Sequence, residues 1–190
     1  LSAGYRQIQV LVRSEHPRGR SSVRRLRELA ASFLQSLGQR GELSILLTTD
    51  ARIRRLNADW RDKPHATDVL AFSASPETGV LGDVVISLDT ADRQARARRA
   101  PRSQELARLL AHGILHLLGH DHEEPAAAAR MAREEVRLLG RVGLVGDALA
   151  SRPADLEFHR ARRRSQRTLR SRRRPATSRR RRASALEATS

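Results

Sequence analysis

Cysteine is absent from the 190 residues, so no disulfide framework is available and the chain suits a reducing, cytoplasmic setting. Aromatic residues are scarce at 3%, against 39% apolar residues overall, so the core has to be built from Leu, Val, Ile and Ala. No apolar run reaches the ~18 residues of a membrane span. Nor does the N-terminal stretch read as a charged-then-apolar leader with a small-residue cleavage site. Lysine is almost missing as well: Lys63 stands alone among the basic residues, and the rest are arginine. No internal repeat is visible.

What the chain does have is positive charge, unevenly placed. Of the formal net charge of +16, residues 151–190 contribute +11, with fourteen Arg against Asp155, Glu157 and Glu187. The first 150 residues are left only modestly basic. The arginine blocks of the tail (Arg162–Arg164, Arg172–Arg174, Arg179–Arg182) alternate with Ser, Thr, Ala and Pro. Such a segment cannot bury enough apolar surface to offset its ordering entropy. The expected organisation is therefore one domain over 1–150 and a disordered Arg-rich tail over 151–190. The tail reads either as a solvated extension or as an electrostatic arm for nucleic acid.

Within the domain, Gln7–Val12 reads as a strand, and Val23–Leu37 carries helical spacing, with Ser21 or Ser22 as cap and Gly38 as stop. A buried strand over Leu43–Thr48 follows, then a helix capped by Asp50 with Ile53, Leu56 and Trp60 inward. Asp68–Ser73 and Gly82–Leu88 form an antiparallel pair across a loop with Pro76 and Gly79. Helices follow from Asp89 to Arg99, beyond Pro101, and from Pro125 to Leu139, ending at Gly140. The order βαβαββ followed by helices predicts an α+β fold with one small mixed sheet of about four strands.

The chemistry concentrates in Leu109–His122. At about 100° per residue, Leu106, Leu109, Leu110, Gly113, Ile114 and Leu117 make one apolar arc, and His112 and His116 project together from its edge. Two imidazoles so placed can share one metal ion. Gly119 then allows a left-handed turn that returns a third ligand, His120 or His122, to the same ion. Three protein ligands leave a position open for water, as in a catalytic zinc site. Asp121 can accept a ligand imidazole N–H or serve only as a turn residue. The spacing is that of H-E-x-x-H-x-x-G-x-x-H zinc proteases, but Gly113 stands where those enzymes place their general base.

On these residues the chain resembles the YbeY family of bacterial metal-dependent endoribonucleases. The family motif H-G-x-L-H-L-x-G-[YH]-D-H is matched from His112 to His122. Asn57-Ala-Asp-Trp-Arg61 followed by Thr67-Asp68-Val69-Leu70-Ala71-Phe72 matches a second block, and Leu81-Gly82-Asp83-Val84-Val85-Ile86-Ser87 a third; Met131, Glu135 and Gly140 fall at family helix positions. The resemblance spans about residues 5–145 and implies a zincin-like metal helix. It implies one Zn²⁺ on His112, His116 and His122, and Arg61 as a catalytic or phosphate-contacting residue. It further implies a single-strand-type endoribonuclease that matures the 3′ end of small-subunit (16S) ribosomal RNA and serves ribosome quality control, with precursor RNA and the ribosomal subunit as partners and no membrane. Two departures stand out: Asp62-Lys63-Pro64-His65-Ala66 replaces a stretch nearer G-K-D-K-P, and Ala71 replaces Ser. The Arg-rich extension has no family counterpart. The alternatives are a ribosome assembly factor with structural zinc and, disfavoured by Gly113, a zinc peptidase.

Overall fold

The computed structural model describes residues 7–120 and 124–144. The expected domain boundary near residue 150, the tail, Asp121 and His122 lie outside these residues.

Four strands form one mixed sheet in the order β1-β2-β4-β3. Strands β1 (Ile8–Ser14), β2 (Gly41–Thr48) and β4 (Val80–Ser87) run parallel, and β3 (Val69–Ser73) pairs antiparallel with β4 at the edge. Parallel neighbours need crossovers. Helix α1 (Val23–Ser36) supplies the first, and α2 (Asp50–Arg61) lies within the second. Three helices follow the sheet: α3 (Leu88–Ala97), α4 (Arg102–Leu117) and α5 (Pro125–Arg141).

The period-2 alternation of the strands sorts the two faces. Leu43, Ile45, Leu47, Val69, Val84 and Ile86 point to the main core, where they meet Leu26, Phe33 and Leu34 of α1 and Leu109, Leu110 and Ile114 of α4. The opposite face carries a small cluster only, Leu70 and Val85 under Ile53 of α2. One face of the sheet is thus sealed and the other is only partly covered.

Several expectations change in detail. Helix α2 is capped by Thr49, whose side chain accepts from the Arg52 backbone N–H; Asp50 is already helical. Asp50 turns instead to Ser87 and Thr90, whose hydroxyls donate to its Oδ1 at 2.5 and 2.7 Å. Ser22 sits at the α1 cap position without a side-chain cap bond. Leu88 opens α3 rather than ending β4, and α5 runs through Gly140 to Arg141. Trp60 does not face inward: it is 53% exposed, while Ile53 and Asn57 are the residues of α2 that are fully buried. Among the described residues the indole's ring contact is with Phe72, edge-on at 6.0 Å.

Candidate metal centre

Helix α4 is seated directly on β3 and β4. A Cβ at Gly113 would lie 2.9 Å from Val84 Cγ1 and 3.4 Å from Val69 Cγ2, so the absence of a side chain sets how closely helix and sheet approach. Position 113 therefore faces the sheet. A glutamate there would have to enter the core beneath the helix, so the packing leaves no room at this position for the general base of the zinc proteases.

His112 and His116 flank this contact, one helical turn apart. Their Nε2 atoms are 3.2 Å apart and their rings cross at 77°. Two nitrogens each about 2.0–2.1 Å from a tetrahedral zinc ion would be separated by about 3.3 Å, so the pair fits as a chelate. His112 is fully buried, and its Nδ1 is hydrogen-bonded to Oε1 of Glu135 on α5, itself buried. A carboxylate at Nδ1 fixes the proton there and turns the Nε2 lone pair toward His116.

The helix closes as its sequence implies. Gly119 has φ +90°, its N–H donates to His116 O at 3.0 Å, and the His120 N–H donates to Leu115 O at 3.0 Å. This paired closure is the Schellman motif, for which glycine is the usual residue. It ends the helix within one turn of His116. Neither His122 nor Asp121 is located by the described residues, so the choice between His120 and His122 rests on the family motif. Among the described residues no group of three or more His, Cys, Asp or Glu forms a metal site.

Glu135, the partner of His112, is the residue of this candidate site that the sequence placed only by family position. Its signal was available: Met131, Glu135, Leu138 and Leu139 form the buried stripe of α5. A carboxylate in an apolar stripe has to find a partner.

Arg61 closes α2, with its Nε and Nη2 shielded from solvent. The loop after it is held by Asn57, fully buried, whose Nδ2 donates to His65 O at 3.0 Å. Asp62 takes a left-handed conformation, φ 58°, and its N–H donates to Ala58 O at 3.0 Å. The asparagine of the N-x-x-W-R pattern thus shapes the loop that departs from the family sequence.

Polar side chains brace α4 from the other side. Asp68 accepts from the Val69 N–H at 2.8 Å and from Gln94 of α3 at 3.0 Å. Burial drives its pKa up, against those hydrogen bonds and the attraction of Arg108. Glu105 and Arg108, both buried on α4, pair at 2.5 Å, and Arg98 approaches Glu105 at 3.4 Å.

Comparison with known proteins agrees with this architecture. The family model described as Endoribonuclease YbeY matches residues 12–143. Proteins of that name from two Anaeromyxobacter species are each 58% identical, over 75% of this chain and 76% of the relative in strain Fw109-5, and over 74% and 75% in A. dehalogenans. A Thermotoga maritima protein solved in solution shares the fold with a TM-score of 0.51 at 22% identity, covering 77% of this chain and 99% of its own. With a family model spanning the sheet, α2 and the histidine helix, the chain belongs to the YbeY endoribonuclease family.

Proposed function

We propose that the chain is a metal-dependent endoribonuclease acting in ribosomal RNA maturation, with one zinc ion held by His112, His116 and His122. The observation that carries this reading is the facing pair of imidazole nitrogens, 3.2 Å apart, with His112 fixed from behind by Glu135. Zinc bound there would supply Lewis acidity toward a phosphate oxygen and toward water. The protein's own contribution is to hold His112 in the ligating tautomer, to seat the helix on the sheet through Gly113, and to turn the chain at Gly119. Arg61 supplies a guanidinium that can pair with phosphate oxygens and offset charge developing on them. No helix among the described residues is long and apolar enough to cross a membrane, which is compatible with work in the cytoplasm on ribosomal precursors.

The test pairs metal analysis with cleavage of a ribosomal RNA precursor. His112→Ala and His116→Ala should lose zinc and cleavage together, whereas Arg61→Ala should keep zinc and lose turnover. Cleavage retained by a folded, zinc-free variant would refute the metal assignment.

A further inference from the structure

Arg61 is the last residue of α2, and the chain directly after it turns back on the helix. Three hydrogen bonds hold that return. The Asp62 N–H donates to Ala58 O at 3.0 Å, the Lys63 N–H to Asn57 O at 3.2 Å, and Asn57 Nδ2 to His65 O at 3.0 Å. Together they close residues 57–65 into a ring with Arg61 at its middle. The first two bonds run from main chain to main chain, so only the third depends on which side chain stands at 57. The turn inside the ring is not a relaxed one, because Asp62 sits at φ 58°, a conformation that glycine takes most freely. Of residues 62–66 only Lys63 is even half-buried, so apolar packing does little to hold the loop. Asn57 itself is fully buried, one helical turn before Arg61 and one after Ile53. Its Oδ1 is shut off from solvent and meets no hydrogen-bond donor among the described residues. An unfilled buried acceptor is a cost that an apolar side chain here would avoid. What the amide provides in return is the clasp on His65.

Resting on the reading of Arg61 given above, we propose that Asn57 is the positioning residue for the Arg61 guanidinium. It acts through the backbone: the clasp ties the loop to the helix, and the tied loop keeps the last turn of α2, with Arg61 on it, from fraying. A guanidinium that meets phosphate oxygens needs direction as well as charge, since its N–H groups form a rigid fork. A misplacement of about 1 Å in such a group is enough to cost ~100-fold in rate. The clasp belongs to α2 and its following loop, whereas His112 and His116 belong to α4, so its loss acts on Arg61 and leaves the two histidines in place.

A double-mutant cycle on the full-length protein tests this, read by single-turnover cleavage of a ribosomal RNA precursor with enzyme in excess. Asn57→Ala should slow cleavage roughly 10- to 100-fold while zinc content stays at the wild-type level. Introduced into Arg61→Ala, the same change should cost less than about twofold, because the group it positions is already gone. A residue that only supports the fold would lower the rate by the same factor in both backgrounds. Thermal melts show whether each variant is folded. If Asn57→Ala is not, Asn57→Thr takes its place in the cycle, being close to asparagine in size and able to bond its hydroxyl within the helix. Equal losses in the two backgrounds, an unchanged rate in a folded Asn57 variant, or loss of zinc along with the clasp would each overturn the proposal. Full cleavage by Arg61→Ala alone would overturn the reading of Arg61 as well, so the two failures are told apart.

Discussion

Glu135 and Trp60 show what single residues owe to tertiary structure. The carboxylate of Glu135 meets the imidazole of His112 at Nδ1, and in the proposed zinc site that contact would make it a positioning residue. Glu135→Gln should keep the fold and weaken zinc affinity about 10- to 100-fold, the usual cost of losing such a partner. Competition with a chromophoric chelator measures this directly, and an unchanged affinity would remove Glu135 from the site. His112 and His116 were legible because a spacing of four is a property of one helix, independent of its surroundings. Glu135 lies 23 residues further on, and its partner could be known only once α5 was docked. Trp60 misled for a related reason: helical spacing shows which residues share a stripe, not how far the sheet beneath extends.

Between elements, the starts of α2 and α3 are tied to one another. Asp50 Oδ1 accepts from Ser87 and Thr90 at the start of α3, its Oδ2 pairs with Arg93 at 2.7 Å, and Asp89 Oδ2 accepts the Asp50 backbone N–H at 3.1 Å. His16 from the loop after β1 meets Asp89 Oδ1 at 3.0 Å. Partial burial acts to raise the pKa of Asp50, but the bonds from Arg93, Ser87 and Thr90 outweigh it and hold the carboxyl below 3.8. Asp89 is likewise lowered: burial raises it, and the Asp50 N–H and His16 prevail. A depressed folded pKa contributes stability that is present above the unfolded value and lost as pH falls through the folded one. The stability difference between wild type and Asp50→Asn should therefore be constant near neutrality and shrink on acidification below about pH 4. Thermal melts across that range measure it, and a difference independent of pH would show that Asp50 acts by shape alone. The strands, helices and their order were readable from apolar period and turn residues, but not this tie. Asp50 looked like a cap because Thr49 and Asp50 are both good caps, and only the position of Ser87 shows which one turns away.

Taken whole, the sequence carries its positive charge unevenly, with +11 of the net +16 in residues 151–190. Deleting residues 153–190 should flatten the salt dependence of RNA binding, because fewer condensed counterions are released, while cleavage persists. An unchanged slope of log affinity against log salt would show that the tail takes no part in binding. The sheet adds a consequence of its own. β3 is made before β4 but ends outside it, so β4 has to be laid between two strands that already exist. During synthesis from the N-terminus, β1 and β2 can pair early, but β3 has no strand partner until residue 87 has emerged. Helix α4, which carries His112 and His116 and rests on β3 and β4, therefore has no complete seat until β4 is in place.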